Sequence, residues 1–108
     1  MNVIAAPQRI AEIFSVLPEE DRRAILNVGI AFRRVDLEKR LVRSQSQIRE
    51  FETKYNTTID QLEKAGLPDD ADYLMHEDYI EWHHWARVAE KTRKILDILD
   101  ALAEKPQE

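Results

Sequence analysis

One segment of the chain, residues 76–84, holds all three histidines together with several carboxylates. Glu77, Glu81 and His84 follow one another at steps of four and three residues, which places them on one face of a helix. The step from Glu81 to His84 is the Glu-x-x-His spacing of helical di-metal carboxylate sites, in which facing helices supply further carboxylates. A two-fold dimer would supply a second copy of the motif, and Glu50 from another helix would add a ligand.

A purely structural role, without a metal, would also explain why Glu81 and His84 occur at this spacing. Glu81 and His84 are also expected at the seam of a helical hairpin, where they would face polar Ser44 or Gln47 and fix the register by hydrogen bonds. The chain has no second Glu-x-x-His, whereas a metal site needs a complete set of ligands with defined outer partners. We therefore expect no metal and no other cofactor, and a dimeric helical metal-binding protein is the alternative.

Aromatic side chains interleave with these acids at Tyr79, Trp82 and Trp85. Such a strip is typical of a protein interface and also of a helical core. Trp85 falls on the expected hairpin seam and is predicted to be buried, whereas Tyr79 and Trp82 fall to its side. The sequence thus predicts Tyr79 and Trp82 as contacts for another molecule.

The composition limits the classes of protein to which the chain can belong. Of its 108 residues, 44% are hydrophobic and 34% charged, which is too apolar for disorder, and the net charge of −5 argues against nucleic-acid binding. The absence of cysteine excludes disulfides, thiolate zinc sites and cysteine nucleophiles. No apolar run approaches ~20 residues and the start lacks a basic segment, so we expect a cytoplasmic protein without a membrane span. With no glycine-rich phosphate loop either, an enzyme is not expected.

Prolines divide the chain into helical segments, since they occur only at positions 7, 18, 68 and 106. Apolar residues recur at helical spacing between them and leave no room for strands. The sequence predicts one all-α domain, residues 1–108: an elongated, coiled-coil-like antiparallel hairpin with a short N-terminal helix and a short helix in the connection. The predicted helices span residues 7–17, 19–55, 58–65 and 73–104.

The connection between the two long helices has strong local signals. Asn56 tolerates the left-handed backbone that follows a helix, and residues 58–61 fit a capping box. Gly66 is expected to end the short helix, and an aspartate within residues 69–72 to cap the next one.

The first long helix is apolar on two sides. One side is expected to face the returning helix, through Leu26, Ile30, Leu37, Leu41, Ile48, Phe51 and Tyr55. The second side, in the first half of the helix, gives this half more apolar surface than one neighbour can cover. One cover for this half is the N-terminal helix, and another is a second subunit. We expect a homodimer interface made by Ile25, Val28, Phe32 and Val35.

The returning helix has residues at alternating steps of three and four that predict a coiled-coil seam. This predicted seam consists of Leu74, Asp78, Glu81, Trp85, Val88, Thr92, Ile95, Leu99 and Leu102. The first part of the helix is strongly acidic, because residues 69–84 contain six acids and no Lys or Arg. Such a strip is suited to steering a basic protein toward the helix.

Residues 50–63, EFETKYNTTIDQLE, resemble the Phe-Glu-x-Lys-Tyr, turn, Ser/Thr-x-x-Glu-Phe pattern of small helical prokaryotic antitoxin proteins. In that group a Gly-x-Leu-Pro-like turn is followed by an acidic stretch ending in Glu-Trp, and here residues 66–70 lead to Glu-Trp at 81–82. The resemblance covers about residues 50–82. It implies a non-catalytic protein that binds and neutralises a toxin enzyme encoded nearby. The candidate contacts in the shared segment are Asp78, Tyr79, Glu81 and Trp82.

Overall fold

Four helices make up nearly all of the structure, a computed structural model that describes residues 6–103. They are α1 (Ala6–Val16), α2 (Glu19–Tyr55), α3 (Ile59–Ala65) and α4 (Tyr73–Ala103). α2 and α4 pack against each other, and no strand occurs in the described residues. The predicted all-α hairpin, with a short N-terminal helix and a short connecting helix, is confirmed. The predicted last helical residue, Glu104, lies outside the described residues.

The N-terminal helix is attached to the hairpin through a fixed junction. Pro18 has φ −53° and ψ 148°, an extended conformation that separates α1 from α2. The Arg22 guanidinium donates hydrogen bonds to the carbonyl oxygens of Ser15, at 2.8 Å, and Leu17, at 2.7 Å. These carbonyls lie at the C-terminal end of α1, where a cation is favoured. α1 makes no extensive contact with the other described helices, and the molecule measures 63 × 41 × 22 Å.

The inner face of α2 follows a seven-residue repeat. Ile30, Leu37, Ser44 and Phe51 are all buried, and each is seven residues from the next. Half-buried residues lie four positions further along in each repeat, among them Leu41. These alternating steps are those of a coiled-coil seam. The apolar face predicted for this helix is confirmed, since every member is buried or half-buried.

The predicted seam of α4 consists of two lines of residues, each repeating every seven positions. The structure confirms one of these lines and contradicts the other. The line through Asp78 and Thr92 is buried as predicted. The other predicted line is wrong, because Leu74, Glu81 and Leu102 are exposed and only Val88 and Ile95 are half-buried. The residues buried in its place lie one position later, at Trp82, Ala89 and Leu96. The observed seam consists of Asp78, Trp82, Trp85, Ala89, Thr92, Leu96 and Leu99.

The reason for this difference lies at positions 81 and 82. Both candidate lines are apolar further along the helix, so the spacing alone does not choose between them. Burying the indole of Trp82 removes a large apolar surface from water, whereas burying the Glu81 carboxylate without a cation is costly. The helix therefore turns Trp82 inward and Glu81 outward.

Small polar side chains fill the middle of the seam. Ser44 and Thr92 have no exposed surface, and their hydroxyls donate to the carbonyl oxygens of Arg40, at 2.7 Å, and Val88, at 2.6 Å. The Arg40 Nε also donates to the Thr92 Oγ1 across the interface, at 2.9 Å. Both hydroxyls are thus satisfied, so these small residues are buried without an unpaired polar group.

Much apolar side-chain surface remains outside this core. None of the helices in residues 6–103 has the long apolar run that crossing a bilayer requires. The large apolar side chains that stay more than half exposed are Ile10, Ile13, Val16, Ile25, Val28, Phe32, Val35, Val42, Tyr73, Leu74, Ile80, Ile98 and Leu102.

Leu37→Ala tests the seam, since Leu37 is 1% exposed at its centre. We expect a loss of about 2–5 kcal/mol in the free energy of unfolding, measured by urea denaturation, because a buried leucine leaves a cavity when truncated. The matched control is Ile98→Ala, at a residue 59% exposed on α4, which should cost less than about 1 kcal/mol. Equal losses in the two variants would contradict the seam.

Candidate protein-docking site

A capped connection positions the start of α4. Asn56 ends α2 in the left-handed conformation, with φ 52° and ψ 43°. The Thr58 hydroxyl accepts a hydrogen bond from the Gln61 backbone N–H, at 3.2 Å, and caps α3. Gly66 follows α3 with φ 78°, a backbone conformation that strains other residues. Asp72 Oδ1 accepts a backbone N–H of the first turn of α4, at 2.9 Å, so both helices have the predicted N-caps. The predicted capping box is only half formed, because the Gln61 side chain bonds to a neighbouring hydroxyl and not to the Thr58 backbone N–H.

Trp82 lies in the core next to this connection. It has no exposed surface, and its ring stacks against those of Phe51 and Tyr55, with centroid distances of 5.7 and 6.0 Å. Such aromatic contacts add to the stability given by area burial alone. The prediction that Trp82 lies to the side of the hairpin is therefore wrong, and this residue offers no surface to a partner.

Asp78 is a buried carboxylate with two partners from α2. Its Oδ2 accepts hydrogen bonds from Lys54 Nζ and from the Tyr55 hydroxyl, both at 2.5 Å. The hydrogen bond from Lys54 is the main cause of a lowered pKa of Asp78, the bond from Tyr55 adds to it, and burial opposes both. Burial and the bond to Asp78 raise the pKa of Tyr55, so its phenol remains a donor. Asp78, a predicted partner contact, thus makes its polar contacts within the chain.

The residues of the alternative metal site lie on the surface. Glu50, Glu77, Glu81 and His84 are all exposed, and within residues 6–103 no three His, Asp or Glu side chains are grouped to hold a metal ion. Glu81 and His84 do not form the predicted polar layer with Ser44 either, since the Ser44 hydroxyl bonds to its own helix. The Glu-x-x-His spacing therefore marks an exposed helix face in the single chain.

An exposed surface of α4 combines apolar and acidic side chains. We call it the acidic α4 face, formed by Tyr73, Leu74, Glu77, Ile80 and Glu81. Their spacing places them along one side of the helix, away from Trp82. Glu77 and Glu81 have no ion-pair partner within residues 6–103. Tyr79, a predicted partner contact, lies outside this face, because its position on the helix is beyond Trp82. It is half-buried, and its ring centroid lies 6.1 Å from that of His83.

This end of the hairpin carries a concentrated negative charge. Of the six acids in residues 69–84, Asp78 is buried against a cation and the other five are exposed. Glu63 on α3 adds a further carboxylate, 3.2 Å from His83 Nδ1, which links α3 to α4. A field of this kind attracts cationic surfaces and speeds their association.

Trp85 lies one turn beyond Trp82 and is half-buried rather than fully enclosed. The Arg43 guanidinium lies 5.4 Å from its ring centroid, and the His84 ring meets it edge-on at 5.3 Å. A cation over an indole face contributes about 0.5–1 kcal/mol at a partly exposed site. The indole N–H groups of Trp82 and Trp85 have no hydrogen-bond partner among the described residues, so both rings act through their apolar surfaces.

The sequence pattern alone does not show the polar contacts that cross the hairpin, among them those of Lys54 with Asp78 and of Arg40 with Thr92. A signal for them was present, because Asp78 and Thr92 both lie on the predicted seam and a buried polar group requires a partner. The spacing does not identify their partners, because Lys and Arg reach a seam from positions beside it.

Comparisons of the chain with protein-family models, with curated proteins and with solved structures find no match. The function therefore has to be inferred from the exposed faces of the helices and their chemistry.

Asp78→Asn is expected to lower the free energy of unfolding at neutral pH, because it removes the ion pair with Lys54. The folded-state pKa of Asp78 lies below its ordinary value of 3.8. The stabilisation is therefore present above that value and is lost as the pH falls through the folded-state pKa. Urea denaturation at neutral pH and at about pH 3 measures the free energy of unfolding of both proteins. The difference between the wild type and the variant should become smaller at the lower pH.

The control for this pH dependence is Asp97→Asn, which neutralises an exposed carboxylate on the same helix. It should change the stability little at either pH. If the difference in the free energy of unfolding between the wild type and Asp78→Asn stays constant into the acid range, the role given to the Asp78 carboxylate is contradicted.

Proposed function

We propose that the chain is a non-catalytic protein–protein interaction module of the antitoxin type, which binds and neutralises a partner toxin enzyme through the acidic α4 face. It would act in the cytoplasm, without a cofactor and without contacting nucleic acid itself. The resemblance of residues 50–82 to antitoxin proteins supports the proposal, and so does the chemistry of the exposed surface in the same part of the chain.

The observation that carries the proposal is an exposed mixture of apolar and acidic side chains on a firmly packed helix. Ile80 is 62% exposed, between Glu77 and Glu81, which have no ion-pair partners in the described part of the chain. Apolar residues rimmed by charge are typical of protein-binding surfaces. Beneath them, Trp82 and Asp78 hold α4 against α2, so the face is formed before binding and little ordering is needed.

The partner surface that fits this face is basic with an apolar centre. Leu74 and Ile80 would fill the apolar centre, while Glu77 and Glu81 would pair with Lys or Arg at the rim. An enzyme that acts on nucleic acid has such a basic surface at its substrate groove. An acidic helix face can cover that groove and exclude the substrate, which would explain neutralisation. Because attraction between exposed charges is screened by salt, the association rate should fall with ionic strength.

Ile80→Ala combined with Glu81→Lys tests the proposal in co-expression with the product of an adjacent reading frame. The wild-type chain should co-purify with that product and restore growth. The double variant should bind roughly tenfold more weakly or worse, because it loses an apolar anchor and reverses a rim charge. Titration calorimetry measures the binding, and circular dichroism checks that the helices are retained.

The matched control is Asp97→Lys combined with Ile98→Ala, which reverses one acidic charge and truncates one isoleucine at exposed positions on the same helix. These positions lie about 25 Å further along α4, at 1.5 Å per residue. The control variant should bind like the wild type. Equal weakening in both variants, or failure of the wild-type chain to bind the neighbouring product, would contradict the proposed function.

A further inference from the structure

The outer side of α2 carries an apolar stripe that is uncovered in the single chain. We call it the outer α2 face, formed by Ile25, Val28, Phe32 and Val35. Val28 is 71% and Phe32 78% exposed. The steps of three, four and three residues are those of a coiled-coil seam, on the side opposite to the buried Ile30 and Leu37. α2 therefore has a second seam, and only one of the two faces α4.

We propose that a second copy of this chain covers the outer α2 face, with the two α2 helices antiparallel about a two-fold axis at the level of Ile30. Ile25 then faces Val35 of the second copy. Val28 likewise faces Phe32 of the second copy. Ile25 and Val35 each lie five positions from position 30, and Val28 and Phe32 each lie two positions from it. The stripe is therefore complementary to itself, as a two-fold interface requires.

Charge decides the direction of the pair. The next seam positions beyond the stripe are Asp21 and Lys39, each nine positions from the centre. Neither has an ion-pair partner within residues 6–103. In an antiparallel pair, Asp21 of one copy faces Lys39 of the other at both ends. A parallel pair would set Asp21 against Asp21 and Lys39 against Lys39, and like charges in contact are unfavourable.

Gly29 gives an independent indication of close contact at the centre of the stripe. It lies inside a long helix, where glycine is less favourable than alanine. A Cβ added at this position would meet no atom within 4 Å, so the single chain gives no reason for a glycine. In the antiparallel pair, Gly29 on one side and Ala31 on the other flank the two-fold axis, and their small size lets the two helices approach closely.

The same arrangement brings further apolar surface together at both ends. Pro18, where α1 leaves α2, comes to the level of Val42 of the second copy, since both lie twelve positions from the centre. Val42 lines an open groove of about 590 Å³ on the outer side of α2. Ile13 and Val16 of α1 are exposed, so the N-terminal helix of one copy can cover this valine of the other. The acidic α4 face is not used, and the inference does not rest on the proposed function.

Phe32→Glu tests the inference by sedimentation velocity and light scattering. The wild-type chain should be a dimer, and the variant should dimerise roughly tenfold more weakly or worse, because it places a carboxylate inside an apolar interface. Circular dichroism should show unchanged helix content, since Phe32 is exposed in the single chain. The matched control Ile98→Glu, at an exposed isoleucine of α4, should remain dimeric. A monomeric wild type across the micromolar range, or a dimer unaffected by Phe32→Glu, would overturn the inference.

Single cysteines test the direction of the pair, because the natural chain has none. Asp21→Cys and Lys39→Cys chains, mixed and oxidised, should form a disulfide with each other, and neither should form one when oxidised alone. The reverse result, disulfides within each variant alone and none specific to the mixture, would show a parallel pair and overturn the antiparallel arrangement.

Discussion

The packing of Trp82 against Phe51 and Tyr55 determines how the two arms of the hairpin face each other. A rotation of α4 by one residue, about 100°, would expose this indole and bury Glu81. That exchange would lose a large stacked apolar contact and remove a carboxylate from water, so it is opposed on both counts. The same register brings Asp78 next to Lys54 on α2 and leaves the acidic α4 face in solvent. Core packing and surface chemistry are thus set by one contact.

α2 is organised as a helix with two seams. Its inner seam, from Ile30 to Phe51, repeats every seven residues and is buried against α4. The outer α2 face has coiled-coil spacing as well, but nothing in the described part of the chain covers Val28 or Phe32. A domain of this length buries a limited share of its surface when it folds alone. Pairing through the outer seam would extend the core without changing the hairpin.

The sequence predicted α2 better than α4, and the reason is physical. From Leu37 to the end of α2, nearly all residues outside the inner face are polar or charged, so the apolar spacing has one solution there. In α4 the line through Val88 and Ile95 and the line through Ala89 and Leu96 are both apolar, so periodicity allows either. The two lines differ in whether Trp82 or Glu81 is buried. The choice therefore depends on the free energy of burying each side chain and not on the spacing.

Polar partners were harder to predict than apolar faces. The sequence placed Asp78 on the seam correctly, but it did not show that Lys54 and Tyr55 both reach its carboxylate. These contacts depend on the relative height of the two helices, which the connection fixes through left-handed Asn56 and the caps of α3 and α4. Local signals predicted the caps, but the resulting alignment of the helices required the folded structure.

Small-angle X-ray scattering with in-line mass measurement tests most directly whether the two opposite sides of α2 are covered by different chains. The single chain has a radius of gyration of 20.6 Å and a longest extent of 63 Å. Because Ile30 lies toward one end of α2, the antiparallel pair is staggered. We predict twice the mass of one chain and a longest dimension well above 63 Å. A particle with the mass of one chain and a radius of gyration near 20.6 Å would contradict the two-sided role of α2.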